Sequence, residues 1–134
     1  MARLWKGFSL IELVIAMAIL AILITMATPA MHGFSMRSHR TVAISELLRL
    51  ASCQEHIRAD AGLYNTSMCL PTNDEHYHFG YEIPGLSATS SFIAIATPQG
   101  AQLKDKCGSL MLDQDGQREI ENIEVGTGKC WASR

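Results

Sequence analysis

The chain has 134 residues and a formal net charge of −2 at pH 7, so it holds one small domain and little else. Hydrophobic residues make up 48% of it. Many of them lie in a single run near the N-terminus, which leaves a thin globular core that disulfides would help to stabilise. The near-balanced charge argues against the broad basic surface of a dedicated nucleic-acid-binding domain.

An almost unbroken apolar run occupies residues 8–28, behind a short leader that carries Arg3 and Lys6. As a helix this run extends about 30 Å, which matches the hydrocarbon core of a bilayer. The run is therefore predicted to span a membrane. The basic leader is expected to stay in the cytoplasm, and everything after Pro29 is expected to lie outside.

Glu12 is an acidic residue inside this apolar run. A carboxylate in such a span costs roughly 2.5–3.5 kcal/mol on insertion scales, so it usually has a partner and a function. If the chain is cut after Gly7, the new amino group of Phe8 on a neighbouring helix can neutralise Glu12 and set the stagger between two subunits. The alternative is that Glu12 lies near the membrane interface and reaches water.

Residues 7–12 (Gly-Phe-Ser-Leu-Ile-Glu) resemble the class III signal and processing site of type IV pilins and of the pseudopilins of type II secretion. The resemblance implies that a membrane-embedded prepilin peptidase cuts after Gly7 and methylates the amino group of Phe8. It also implies that Glu12 is the residue that directs filament assembly.

The same resemblance divides the chain into three segments. They are a cleaved cytoplasmic leader at residues 1–7, a transmembrane and assembly half-helix at 8–30, and an amphipathic half-helix with a disulfide-bonded globular domain at 31–134. The protein is expected in the bacterial inner membrane as a single-pass protein before assembly and in an extracellular pilus afterwards. An ordinary secretory signal cut near residues 27–30 and an uncut membrane anchor are the alternatives.

Pro29 lacks a backbone N–H and clashes with the preceding turn, so the helix is predicted to bend there. Residues 37–59 then continue a helical pattern, which Gly62 is predicted to end. The apolar stripe predicted to pack on a sheet consists of Ile44, Leu47, Leu48 and Ala51. The polar residues 65–75, interrupted by Pro71, are predicted to form a loop.

A change to a two-residue period predicts short β-strands in the C-terminal half. In the first strand Tyr77, Phe79 and Tyr81 alternate with polar or small residues. Further strands are predicted at residues 91–97, 109–113 and 119–125. A long helix followed by about four antiparallel strands is an α+β arrangement. It corresponds to the type IV pilin fold that the resemblance implies, with a long helix, kinked at Pro29, packed on a small antiparallel sheet.

Four cysteines lie beyond the apolar run and form no C-x-x-C pair: Cys53, Cys69, Cys107 and Cys130. Their even number favours disulfides in an oxidising compartment, and four cysteines allow three connectivities. Their wide spacing excludes the paired C-x-x-C ribbons of a zinc site.

Residues 96–98 (Ala-Thr-Pro), 107–112 (Cys-Gly-Ser-Leu-Met-Leu) and 130–131 (Cys-Trp), together with Gly116, resemble a minor pilin of type IVa machines. This resemblance implies that Cys107 and Cys130 form the bridge that defines an exposed C-terminal loop region. The bridge would stabilise the fold by roughly 3 kcal/mol. Cys53 and Cys69 then remain for a second bridge between the helix and the loop that follows it.

Three lysines in the C-terminal third are candidate DNA contacts, because Lys104, Lys106 and Lys129 are able to bind phosphates in a salt-dependent way. Acidic neighbours weaken their field, and a mixed solvated surface is the alternative. His76 and His78 have metal-ligand spacing but lack a third ligand in the sequence. No metal or cofactor is therefore predicted. The chain is not predicted to be an enzyme, since it has no phosphate-binding glycine loop and no nucleophile elbow.

The sequence thus predicts a structural subunit, more specifically a minor one, of a type IV pilus that serves motility, adhesion or DNA uptake. The implied partners are other pilin subunits, the prepilin peptidase, the inner-membrane assembly machinery and, before assembly, the lipid bilayer. One alternative is a competence pilin that binds DNA through an exposed loop. The other is a pseudopilin of type II secretion, which ranks lower because such domains commonly hold calcium instead of this disulfide loop.

Overall fold

A computed structural model of the chain describes residues 8–83 and 90–132, and it leaves out the side chains of residues 26–30 and 32. The predicted leader, with its cleavage residue Gly7, therefore lies outside the described residues. The side chain of the proline at which a bend is predicted lies outside them as well.

A single long helix, α1 (Leu10–Ala61), comprises 52 residues. Its backbone is helical through position 29, and the bend predicted at Pro29 stays a prediction. By their contacts the residues fall into two units, Met1–Ser35 and Met36–Arg134, and α1 contributes to both. The segment boundary predicted at residue 30 likewise stays a prediction.

In the first unit, α1 carries large apolar side chains that are exposed in the isolated chain. Leu13, Ile19 and Leu23 each leave more than half of their accessible area uncovered. Among the residues that the structure describes, no helix combines the length and the apolar character that crossing a bilayer requires. The membrane span predicted for residues 8–28 stays a prediction.

In the second unit, one face of α1 is fully buried. It consists of Ala43, Leu47, Leu50 and Gln54, which follow the helical spacing of three and four residues. The predicted stripe was wrong at Leu48, which is 45% exposed. Its members Ile44 and Ala51 lie at the edge of the buried face, where they are partly covered. The buried face is centred one residue away from the prediction because the small Ala43 and the polar Gln54 complete it.

Gly62 ends α1 as predicted. Its φ of 76° lies in the left-handed region, which glycine adopts without a Cβ penalty. Its backbone N–H donates to the carbonyl of Arg58 at 2.8 Å, so one of the last carbonyls of the helix is satisfied.

Four antiparallel strands form one sheet in which each strand pairs with the next along the chain. The strands are β1 (Tyr77–Glu82), β2 (Ile93–Pro98), β3 (Leu110–Asp113) and β4 (Arg118–Ile120). A long N-terminal helix and a four-stranded antiparallel sheet are the predicted α+β fold, which is therefore confirmed.

Small side chains on β2 lie in the core that α1 and the sheet share. Ala94 and Ala96 are fully buried in the same core as Leu47 of α1. Across the sheet, Ala96 lies opposite Phe79 on one side and opposite Leu110 on the other. The large residues of the neighbouring strands thus fill the space beside the small ones.

The predicted fourth strand was wrong in its second half. β4 ends at Ile120, and Ile123–Val125 form a 3-10 turn instead. The apolar residues Ile120 and Ile123 are three positions apart, a spacing that would place them on opposite faces of a strand. The chain turns away after Ile120, which stays buried, while Ile123 is 81% exposed.

Candidate functional site

Two disulfides join the four cysteines, Cys53 to Cys69 and Cys107 to Cys130. This is the pairing expected from the sequence. The first ties α1 to the loop that follows it. The second joins the segment before β3 to a short C-terminal helix, α2 (Thr127–Trp131). Because Cys107 and Cys130 are both buried, the second bridge belongs to the core of the domain.

The second bridge brings two exposed lysines together. Lys106 precedes Cys107 and Lys129 precedes Cys130, and the Cα atoms of the two cysteines are 5.8 Å apart. Consecutive Cα atoms are about 3.8 Å apart, so the Cα atoms of Lys106 and Lys129 are at most about 13 Å apart. Lys104 is exposed two residues earlier on the same segment. Two of the three lysines predicted as candidate DNA contacts, Lys106 and Lys129, are therefore close to each other along the backbone, and their role in binding DNA stays a prediction.

Asp105 separates Lys104 from Lys106 in the sequence, but its side chain is turned inward and only 3% exposed. Arg40 of α1 donates two hydrogen bonds to it, from Nε to Oδ2 at 2.9 Å and from Nη2 to Oδ1 at 2.7 Å. In this bidentate ion pair, the guanidinium of Arg40 neutralises the charge of the Asp105 carboxylate. The acid that lies between the two lysines in sequence is therefore buried and paired with Arg40 rather than exposed beside them.

Gln102 holds the same segment from a second side. Its Nε2 is 3.0 Å from the carbonyl oxygen of Met36, 3.1 Å from the hydroxyl of Tyr77 and 2.9 Å from Oδ2 of Asp105. Burial raises the pKa of Tyr77 to about 12, so its hydroxyl stays neutral at ordinary pH. The backbone N–H of Cys107 donates to Oδ1 of Asp105 at 3.1 Å. One polar network thus connects α1, β1, the lysine segment and the disulfide.

Acidic side chains remain on the surface of the C-terminal third. Glu119 and Glu124 are exposed. Ser109 donates from its backbone N–H and its hydroxyl to Oε2 of Glu121, at 3.0 and 2.9 Å, and these hydrogen bonds lower the pKa of Glu121. The surface of the C-terminal third is therefore mixed in charge, with exposed acids as well as exposed lysines.

The residues predicted for processing and assembly lie at the start of α1. Phe8 precedes the helix and is 84% exposed. Glu12 is the acidic residue of the first helical turn, and its backbone N–H donates to the carbonyl of Ser9 at 3.1 Å. The roles predicted for Phe8 and Glu12 stay predictions.

The histidines with metal-ligand spacing are engaged in different ways. The ring of His76 lies against the ring of His39 of α1, with 3.5 Å between the centroids, and its Nε2 is 3.2 Å from Oε1 of Glu75. His78 is exposed on β1. Within residues 8–83 and 90–132, no three metal-ligating side chains converge.

Comparison with known proteins relates this geometry to a family. The family described as "Type IV minor pilin ComP, DNA uptake sequence receptor" matches residues 29–111, which is more than half of the chain. The chain belongs to this family of type IV minor pilins. A second description, "Prokaryotic N-terminal methylation motif", matches residues 6–28. The predicted membership of the pilin family is thus confirmed, which favours a minor pilin over a pseudopilin.

A solved structure supports the same assignment. The minor pilin is similar to the chain described as "High-Resolution Structure of a Type IV Pilin from Shewanella oneidensis", with 30% sequence identity and a TM-score of 0.59. The match covers 72% of the minor pilin and 98% of that chain. No curated protein sequence matches. Fold and family agree that the protein is a minor pilin subunit, which associates with other pilins in a filament.

Proposed function

We propose that this minor pilin captures DNA at the surface of a type IV pilus through Lys104, Lys106 and Lys129. The observation that carries the proposal is that the Cys107–Cys130 bridge keeps the Cα atoms of Lys106 and Lys129 within about 13 Å of each other. The matched family is described as a receptor for a DNA uptake sequence, which supports the same function.

The chemistry of the three side chains fits phosphate. Each lysine ammonium is able to contact a backbone phosphate, and each such contact releases condensed counterions from the DNA. Phosphate contacts position a protein on DNA without reading its sequence. Three contacts give a dependence of log affinity on log salt with a slope of about −3. The lysine region therefore supplies affinity and orientation, and base contacts elsewhere would supply sequence preference.

The test is a DNA titration of the full-length chain in nonionic detergent, with a short fluorescent duplex as the probe and several salt concentrations. Replacement of Lys106 or Lys129 by Gln should weaken binding and reduce the salt slope by about 1. Arg49→Gln is the matched control, because it removes the same charge from an exposed position on α1. A wild-type chain without salt-dependent binding would leave a structural pilin that makes no DNA contact.

We further propose the assembly route that the N-terminal residues imply. A prepilin peptidase removes the leader after Gly7 and methylates Phe8, the apolar run holds the chain in the inner membrane, and the assembly machinery transfers it to the extracellular pilus. The match of residues 6–28 to an N-terminal methylation motif supports this route. Mass spectrometry of the N-terminal peptide from sheared pili tests it, and a chain that still begins at Met1 would refute it.

A further inference from the structure

In the segment that carries two of the lysines, two buried residues are separated by exposed ones. We call residues 100–106, which include the 3-10 turn Gly100–Lys104, the lysine turn. Gln102 and Asp105 are buried, whereas Lys104 and Lys106 are exposed. The buried pair therefore fixes the backbone from which the two lysines project.

The anchor for this turn is α1. Gln102 reaches the carbonyl of Met36, and Asp105 receives two hydrogen bonds from Arg40 across 65 positions of sequence. The side chain of Arg40 is 13% exposed and that of Asp105 is 3% exposed, so the ion pair is largely shielded from water. Removing one partner from such a pair leaves the other buried and uncompensated. The pair thus holds the turn in one position on the helix.

We propose that Arg40 and Asp105 are positioning residues for DNA capture, because their ion pair holds Lys104 and Lys106 where they contact phosphates. This proposal rests on the function proposed above. Neither residue touches DNA. Their contribution is that the lysines do not have to be ordered when DNA binds, and such preorganisation is a source of affinity.

Asp105→Asn separates positioning from simple electrostatics, because the two explanations predict opposite changes in the affinity for DNA. Loss of an acidic charge next to two lysines should tighten binding to a polyanion if charge alone counts. If Asp105 positions the turn, the same change should raise the Kd for DNA at least about threefold and reduce the salt slope by about 1 as a lysine contact is lost. Glu119→Gln is the matched control, since it removes one acidic charge from an exposed position outside the network. It should leave the Kd unchanged or lower it.

Arg40→Lys provides a second test in which the net charge does not change. Lysine keeps the charge but not the planar pair of donors that meets both oxygens of Asp105. We expect Arg40→Lys to raise the Kd and reduce the salt slope as Asp105→Asn does. Arg49→Lys is the control, because Arg49 also pairs with a carboxylate through two hydrogen bonds, to Glu46, while its third hydrogen bond goes to the carbonyl of Leu70 and not to the lysine turn. It should bind DNA like the wild type.

The salt slope distinguishes positioning from a loss of folded protein. A variant that is merely less stable has a smaller active fraction, but its folded molecules keep the wild-type slope. The proposal is overturned if Asp105→Asn and Arg40→Lys bind DNA as tightly as the wild type, or if they weaken binding with an unchanged slope. If the wild-type chain itself shows no salt-dependent binding to the duplex, the proposed function is refuted, and the positioning role that rests on it is refuted as well.

Discussion

The indole N–H of Trp131 donates to the backbone carbonyl of Glu119 at 3.1 Å, which attaches α2 to the edge of the sheet at β4. The guanidinium of Arg118 lies over the ring of Trp131, 5.4 Å from its centroid. Trp131 is 7% exposed, so its indole is enclosed between the last strand and the last helix. α2 carries Cys130 and Lys129, and its placement therefore determines where the second disulfide and the third lysine lie.

Trp131→Phe should lower the free energy of unfolding by about 1–2 kcal/mol. Phenylalanine preserves most of the apolar area, but it lacks the donor for the Glu119 carbonyl, and the hydrogen bond is lost. Thermal unfolding of the full-length chain in detergent, followed by near-ultraviolet circular dichroism, measures the change. Arg118→Gln serves as the control for the cation–π contact. A Trp131→Phe variant with wild-type stability would show that α2 is held by packing alone.

The two disulfides should have similar effects on stability and different effects on DNA binding. They close loops of comparable length, with sequence separations of 16 and 23, so replacing either pair by serine should cost about 3 kcal/mol. Loss of the Cys107–Cys130 bridge should also raise the Kd for DNA several-fold, because Lys129 is then no longer held near Lys106.

The Cys53→Ser/Cys69→Ser variant is the matched control for this prediction. Its bridge lies between α1 and the following loop, and neither cysteine is adjacent to a lysine. The affinity of its folded fraction for the fluorescent duplex should equal that of the wild type. Equal losses of affinity in both disulfide variants would mean that the bridge near the lysines has no particular role in DNA capture.

Local sequence patterns made most of this fold predictable. The apolar run before Pro29 and the helical spacing after it predicted α1, and the alternation of Tyr77, Phe79 and Tyr81 predicted β1, because each pattern is local and repeated. The errors lie where a pattern is short. At Leu48 two neighbouring helical faces fit the same composition. In the predicted fourth strand, three apolar residues, Ile120, Ile123 and Val125, were too few to separate a strand from a turn.

The network around the lysine turn was not predictable in the same way. In the sequence, Arg40 looks like an ordinary exposed residue of a helix. Asp105 looks like any other acidic residue of a loop that carries both charges. Their pairing depends on where a turn 65 positions away comes to rest on the helix. Gln102 gave no signal either, since a buried polar residue is identified by its partners, and two of its three partners, Met36 and Tyr77, are distant in sequence. Only the tertiary structure shows that the side chain of Asp105 is buried, whereas Lys104 and Lys106 on either side of it are exposed.

Alkaline pH should weaken the domain through Tyr77. Burial raises its pKa from the ordinary value of 10.0 to about 12, so the folded state binds the phenolic proton more tightly than the unfolded state does. The resulting stability is fully present below pH 10 and is lost as the pH rises from about 10 to 12. A two-unit difference corresponds to a loss of about 2–3 kcal/mol.

Tyr77→Phe isolates this contribution. Burial also raises the pKa values of Tyr64 and Tyr81, so the variant should keep a residual decline in stability over the same pH range. Its free energy of unfolding should fall less steeply between pH 10 and 12 than that of the wild type. Denaturant titrations at half-unit steps of pH measure the two slopes, and parallel slopes would contradict a buried, neutral Tyr77.

Glu12→Ala should separate processing from assembly. The variant keeps Gly7 and Phe8, so we expect it to be cleaved and N-methylated normally. It lacks the carboxylate that would neutralise the amino group of Phe8 on a neighbouring subunit, so that charge would remain unpaired among apolar helices. The abundance of the chain in sheared pili should therefore fall at least about tenfold, whereas its amount in membranes should not.

Leu13→Ala is the matched control for Glu12→Ala, because it shortens the adjacent side chain without removing a charge. Glu12→Asp tests the chemistry further, since it keeps the carboxylate and shifts it by about one methylene. We expect Leu13→Ala to enter pili nearly normally and Glu12→Asp to recover part of the loss. If Leu13→Ala and Glu12→Ala were equally depleted from pili, apolar packing of this turn would govern assembly and the charge pairing with Phe8 would have to be given up.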